Sequence, residues 1–315
     1  MKYKEWLDIW LIEYQKTYLK ERTYRNYEGV IKNHILPALG EYELEELTIS
    51  VLQGFVIERE TNAMGRYGVG LSSGSVSIII NVLQKSLDMA VNMGIVDNHS
   101  ADRITRPKAA KKKQTDCFTL AEQRKIEDAI IKELPHKKIG ILITLYTGLR
   151  IGELMALRWE DVDFDRKTIT VNHTMRYDYV DGTRSAVLDT PKTLSSQRII
   201  PIPNSLLPYL IMTRSVSAGE YVIESCARET NIRSYQKLYA HMLKSLNIRY
   251  RSFHTLRHTF ATRALESGMD VKTLSEIMGH KSATMTLDRY SHSMMEHKIA
   301  MMNRIGNNVN RKHRA

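Results

Sequence analysis

The sequence predicts a mainly α-helical protein with a small antiparallel β-sheet, divided into two domains. Three observations carry this reading. Apolar residues recur at helical spacing along most of the 315 residues, the mark of helices that bury one face. Between about residues 167 and 203 the pattern changes to short runs rich in Val, Ile and Thr, separated by turn residues. Residues 103–113, RITRPKAAKKK, carry six basic residues, one proline and no acid, and apolar periodicity fades on both sides. The length is comfortable for two domains. The resulting division is an N-terminal helical bundle over 1–102, a basic linker over 103–116 and a second domain over 117–315.

Four helices are expected in the bundle. YKEWLDIWLIEYQKTYL (3–19) sets Trp6, Ile9, Trp10, Ile12 and Leu19 at helical spacing. TYRNYEGVIKNHILPALG (23–40) repeats the pattern, with Thr23 as cap and Pro37 and Gly40 closing it. TISVLQGFVIERE (48–60) and SGSVSIIINVLQKSLDMAVNMG (73–94) supply two more, the last stopped by Gly94. Trp and Tyr in such stripes read as core, and no chemistry is assigned to them.

After the linker, TLAEQRKIEDAI (119–130) and GILITLYTGLRIGELMAL (140–157) read as helices. KTITVNH (167–173), SAVLDTPK (185–192) and QRIIPIP (197–203) read as strands, parted by the turn signals Asp181-Gly182 and Leu194-Ser195-Ser196. Helices resume from about residue 204 to the end.

Composition narrows the function classes. Lys and Arg number 46 against 35 acidic residues, a net charge of +11, and such a surface favours polyanions, nucleic acid first. The linker's Arg103, Arg106, Lys108, Lys111, Lys112 and Lys113 suit a segment running along a phosphate backbone. No run approaches the roughly 18 to 20 apolar residues of a membrane span, and the N-terminus lacks a signal peptide's apolar stretch. Cys117 and Cys226 form no CxxC pair, which argues against a disulfide scaffold or zinc ribbon and fits the cytoplasm.

SFHTLRHTFATRALESG (252–268) raises a choice between metal and phosphate. His254 and His258 stand four apart, as metal ligands on one helix face do. A zinc-protease helix needs HExxH, however, and Thr255 holds the glutamate's place. No third ligand stands at a recognisable spacing, and Arg257 would hold a permanent charge beside the ion. The phosphate reading recruits partners. Arg150 in TGLRIGEL sits among Leu, Ile, Thr and Gly, and an arginine in such company is costly to bury unpaired. It pairs with an acid, Glu153 being three residues on, or it awaits an anion. Arg257 adds a second guanidinium near a helix start, where N–H groups favour anions. Lys192 lies at a strand end, His280 just past a glycine helix stop, and Tyr290 in a short segment with polar neighbours.

Taken in order, TGLRIGEL, a hairpin lysine, HTLRH, GH and DRYSH resemble the tyrosine recombinase (integrase) family. That family carries an arginine, a β-hairpin lysine, His-x-x-Arg, a His or Trp, and a tyrosine nucleophile. TYRNYEGVIKNHILPALGEYELEELT likewise resembles its core-type DNA-binding domain, so the resemblance covers nearly the whole chain. It implies a DNA-binding bundle followed by an α+β catalytic domain. Tyr290 is then the nucleophile, with Arg150, Lys192, His254, Arg257 and His280 around the scissile phosphate and Glu153 supporting the first arginine. His258 falls outside this set and reads as a packing residue; Arg289, His292 and Tyr179 read as surface residues.

The chemistry suits these side chains. A phosphodiester under attack gathers negative charge on its non-bridging oxygens, and two arginines offer it parallel N–H donors. The tyrosine phenol, with an ordinary pKa of about 10, must lose its proton on attack, and His254 is the candidate base. The departing 5′-oxygen needs a proton, for which Lys192 is the candidate acid, while His280 would hydrogen-bond the phosphate. The 3′-phosphotyrosyl intermediate conserves the energy of the broken diester, so the resemblance implies no cofactor and no metal.

It also implies an integrase of a phage or mobile element, acting on double-stranded DNA with inverted-repeat core sites. Four protomers would exchange strands through a Holliday junction, with accessory DNA-bending or directionality factors as further partners. Met295, Ile299 and Met302 form an apolar stripe at i, i+4 and i+7 in the C-terminal tail. Such a tail either folds back on its own domain or docks on a neighbouring subunit, as is common in the family. Met1 lies almost on the first helix, so the additional arm-binding domain of some integrases is not expected in this chain, either naturally or through truncation. Two other readings remain, a type IB topoisomerase and a non-catalytic basic DNA-binding protein.

Overall fold

The computed structural model describes residues 1–65, 68–108, 116–132, 138–180, 183–189, 197–223, 232–280, 282–284 and 302–303. The chain divides into two compact units, Met1–Lys113 and Gln114–Ala315.

The first unit is a helical bundle. Helix α1 (Tyr3–Ile9) runs on as a π-helical stretch, Trp10–Gln15. Its aromatic face is core, with Tyr3, Trp6 and Trp10 almost wholly buried. Burial leaves the polar atoms of these rings needing partners. Tyr3 Oη lies 2.7 Å from Ser86 Oγ, and Trp6 Nε1 donates to the Ser86 carbonyl at 2.9 Å. Helix α2 (Glu21–Val30) begins ahead of Thr23, which lies inside it and does not cap it. A second π stretch, Ile31–Ile35, leads without a break in helical backbone into α3 (Leu36–Leu39), and Pro37 falls in its first turn. Helix α4 (Ile49–Thr61) is capped by Thr48, whose side chain accepts from the Val51 N–H. A two-strand ribbon, β1 (Met64–Gly65) with β2 (Gly68–Val69), precedes the long helix α5 (Ser73–Asn92). Val76, Ile79, Ile80, Leu83 and Leu87 of α5 line one buried face. The chain keeps to this unit through a 3₁₀ turn, Ala101–Arg103, and on to Ile104, buried in the same core. Arg103 thus closes the bundle, and Arg106 is tied back to α5 through Asn81 and Gln84.

The second unit is built round a buried helix. Helix α6 (Leu120–Lys132) is followed by α7 (Ile139–Thr147), which is buried along nearly its whole length. The stretch 140–157, expected as one helix, is two. Gly148 takes a left-handed conformation (φ 68°) and ends α7, and α8 (Ile151–Ala156) starts after Arg150. A side chain on Gly148 would meet Phe260 at 2.5 Å, so this break also makes room for a neighbour. Strands β3 (Val162–Asp163), β4 (Thr168–Val171) and β7 (Arg198–Pro201) form an antiparallel sheet in the order β3-β4-β7, with Ile169 opposite both Val162 and Ile200. Strands β5 (Thr174–Val180) and β6 (Thr183–Asp189) form a separate hairpin. Among the described residues of this unit, the single small sheet expected from sequence is therefore two. The hairpin packs on α8 at Gly152, where a Cβ would lie 2.6 Å from Thr174 Oγ1 and 2.8 Å from the Met175 carbonyl.

Helices α9 (Leu207–Val216), α10 (Ile232–Ser245), α11 (His254–Glu266) and α12 (Val271–Met278) complete the described unit. Phe253 sits edge-on to Tyr235 and Tyr239 of α10, which fixes where α11 begins. Thr259 Oγ1 accepts the Phe118 N–H at 3.0 Å, and Arg263 donates to the Phe118 carbonyl at 2.8 Å, fastening the start of the unit to α11. Among the described residues no helix is long and apolar enough to cross a membrane.

Candidate active site

Helix α12 ends at Gly279, which adopts φ 60° and ψ 48°, and the His280 N–H bonds back to the Ser275 carbonyl at 3.0 Å. This left-handed cap leaves the last carbonyls of the helix without intrahelical partners. Three consecutive ones are taken by three arginines from different elements. Arg198 Nε donates to Ile277 O at 2.6 Å, Arg257 Nη2 to Met278 O at 2.5 Å, and Arg150 Nη2 to Gly279 O at 3.0 Å. The negative end of a helix dipole suits such cations. Arg257 Nη1 also donates to Gly148 O at 2.6 Å, so the ends of α7 and α12 both hold it. The sequence-expected pair, Arg150 and Arg257, is thereby anchored on neighbouring carbonyls. Arg257 is 1% exposed, whereas the Arg150 side chain is 38% exposed.

Glu153 anchors Arg150 from a second direction. Its Oε1 accepts from Arg150 Nη1 at 2.7 Å and its Oε2 from the Arg150 backbone N–H at 2.9 Å, so one carboxylate fixes both ends of the residue. The same carboxylate receives Arg198, with Nη1 to Oε1 at 3.1 Å and Nη2 to Oε2 at 2.8 Å. Burial pushes the Glu153 carboxyl up, but the hydrogen bonds and charge of Arg198, followed by the charge of Arg150, outweigh it and hold the pKa at about 2. The group is ionised throughout the neutral range. Arg198 is a site residue that the sequence motifs do not single out. A signal for it is present all the same, because strand alternation in QRIIPIP sets Arg198 on the same face as the buried Ile200 and Ile202.

His254 is the first residue of α11 and is exposed, one turn before Arg257. The His258 ring meets it edge-on with centroids 4.5 Å apart. His280 is half-buried directly after the glycine cap. Arg150, Glu153, Arg257 and His280 thus meet at one helix end, and His254 shares α11 with Arg257. Lys192 and Tyr290 lie outside the described residues, as do Arg289, His292 and the tail residues Met295 and Ile299. In the linker Arg103, Arg106 and Lys108 are exposed, and Lys111, Lys112 and Lys113 lie outside the described residues. Among the described residues no group of three or more His, Cys, Asp or Glu is placed to hold a metal ion. A fixed and partly exposed guanidinium such as that of Arg150 is suited to an oxyanion whose charge grows during reaction.

Residues 118–297, more than half of the chain, match the phage integrase family, and residues 2–58 match the N-terminal SAM-like domain of phage integrases. The chain belongs to the phage integrase family. It is a tyrosine site-specific recombinase. A XerC-like tyrosine recombinase of Caldanaerobacter subterraneus subsp. tengcongensis is 29% identical over 93% of this chain and 79% of its own length. Among solved structures, the Tn1549 transposon integrase in complex with transposon right end DNA superposes with a TM-score of 0.79 at 22% identity, over 97% of this chain and all of that one. A lambda integrase tetramer bound to a Holliday junction superposes with a TM-score of 0.65 at 20% identity, over 90% of this chain and 79% of that one. These structural likenesses are likenesses of fold.

Proposed function

We propose that this recombinase cleaves and rejoins double-stranded DNA with Tyr290 as nucleophile, and that Arg150 and Arg257 clamp the scissile phosphate. The observation that carries the clamp is the anchoring of the two arginines on the adjacent carbonyls of Met278 and Gly279. A guanidinium held in place before substrate arrives loses little reorganisation energy as charge builds on the phosphate. The Tyr290 oxygen forms a bond to phosphorus as the bond to the 5′-oxygen breaks. The phenolic proton passes to His254, and Lys192 supplies one to the departing 5′-oxygen. His280 hydrogen-bonds the phosphate, and Glu153 keeps Arg150 in register. A 5′-hydroxyl from the partner strand then attacks the 3′-phosphotyrosyl bond, releasing Tyr290 and completing one exchange.

Two such exchanges pass through a Holliday junction, with four protomers on two inverted-repeat core sites. The fold likeness to a lambda integrase tetramer on such a junction supports this assembly. The bundle and the basic linker, with Arg103, Arg106, Lys108 and Lys111 to Lys113, contact the DNA backbone. The Met295–Ile299–Met302 stripe docks the tail on a neighbouring subunit, and the protein works in the cytoplasm as the integrase of a phage or mobile element, with accessory factors setting direction. The test is a supercoiled plasmid carrying two copies of the element's junction sequence, incubated with the protein in EDTA. Deletion or inversion products are expected. Relaxation without exchange would assign a topoisomerase, and binding without either product would assign a non-catalytic protein.

A further inference from the structure

Arg198 lies at the start of β7 with its side chain only 6% exposed, and it joins three elements. Its fork grips both oxygens of Glu153 on α8, and its Nε reaches the Ile277 carbonyl of α12. It also lies against Gly279. A Cβ there would stand 3.1 Å from Arg198 Nη1 and 3.2 Å from its Cδ, so the glycine serves the arginine's path as well as its own left-handed turn. Each oxygen of Glu153 therefore accepts from both Arg198 and Arg150, the latter through side chain or backbone.

We propose that Arg198 is a positioning residue for strand cleavage, holding Glu153 and the end of α12 so that Arg150 and His280 keep their places at the phosphate. This rests on the reading of Arg150 as part of the phosphate clamp. Arg198 does not touch the DNA; it acts through the carboxylate and the carbonyl. A carboxylate has about four acceptor positions, and here Arg198 fills as many of the observed ones as Arg150 does. Without Arg198, Glu153 would face only Arg150 and could turn with it, and the Ile277 carbonyl would lose the cation that fixes its end of the helix. The planar fork is essential to this role, since an ammonium reaches as a point and cannot span both oxygens and a carbonyl. Among the described residues the charged groups facing Glu153 are Arg198 from β7 and Arg150 from the start of α8, so loss of Arg198 also removes one of the two described cations that keep it ionised.

The test uses the full chain with Arg198→Met and Arg198→Lys on nicked suicide DNA, measuring single-turnover cleavage across pH and DNA affinity separately. Arg198→Met is expected to slow cleavage about 100-fold, the scale of a misplaced reacting group, with DNA affinity unchanged. Its activity should also fall at a higher pH on the acid side than that of wild type, because Glu153 is protonated more readily. Arg198→Lys should restore the wild-type pH profile by restoring charge, but recover only part of the rate. A wild-type rate in Arg198→Lys, or a slower Arg198→Met with an unchanged pH profile, would overturn the inference. Should Arg198→Met fail to fold, the Arg198→Lys rate alone decides. Arg150→Ala separates the two claims. If it cleaves normally, the clamp itself is wrong; if it is inactive while Arg198→Met is normal, only the positioning role is wrong.

Discussion

Replacing Glu153 by Gln preserves shape while removing the charge that Arg198 and Arg150 share. Glu153 and the Arg198 side chain are each 6% exposed, so solvent can do little to compensate. The size of the loss follows from the carboxyl's own titration. Its pKa is held at about 2 against an ordinary 4.5, which at about 1.4 kcal/mol per pH unit is about 3 kcal/mol. Removing one partner of a buried pair costs about 3 to 5 kcal/mol by a separate route, the charge left uncompensated. For a folding unit of about 200 residues, each kcal/mol moves Tm by about 2 to 4 °C, so the transition should fall by about 10 °C at pH 7. Scanning calorimetry of wild type and Glu153→Gln provides the measurement. Because the folded pKa is depressed, the contribution is fully present above pH 4.5 and is lost as pH falls towards 2. The gap between the two proteins should therefore narrow across that interval. A gap under about 1 kcal/mol at neutral pH, where a buried ion pair should cost several, or one that stays constant down to low pH, would refute the reasoning.

Gly279→Ala should destabilise by about 1 to 2 kcal/mol from left-handed strain and slow cleavage further by pressing on Arg198, seen as a larger loss of rate than of Tm. Gly152→Ala places a methyl against the Met175 carbonyl, and the resulting overpacking should cost about 1 to 3 kcal/mol in denaturant titration. Neutralising Arg103, Arg106 and Lys108 together should weaken DNA binding for all sequences alike. The log–log salt dependence should flatten by about 0.9 for each phosphate no longer neutralised.

Much of this architecture can be read from sequence because its cause is local. Trp6 and Trp10 are spaced for one face of the first helix and Val76, Ile80, Leu83 and Leu87 for one face of α5, and both faces are buried. The break at Gly148 is different. The apolar run from Ile139 to Leu157 keeps its helical period across a single glycine, and only the approach of Phe260 and the demand of Arg257 for a carbonyl give the break its purpose. Strand β5 carries a strand alternation, with Arg176 and Asp178 between Met175, Tyr177 and Tyr179, but nothing local encodes its pairing with β6 as a hairpin apart from the main sheet. The site itself is half legible. Arg150 and Glu153 are neighbours on one helix start, so their pairing follows from spacing. The gathering of Arg257, Arg198 and Arg150 on the end of α12 joins residues 21, 79 and 129 positions apart, which no local pattern encodes.

The central claim, that Tyr290 attacks a phosphate held by this arginine clamp, is tested most directly by identifying the residue that becomes joined to DNA. Wild-type protein trapped on nicked suicide DNA carrying the element's ends would be digested and the nucleotide-bearing peptide sequenced by mass spectrometry. A 3′-phosphate adduct on Tyr290 is expected, absent from Tyr290→Phe although that variant still binds the DNA. An adduct on another residue, or one that persists in Tyr290→Phe, would contradict it.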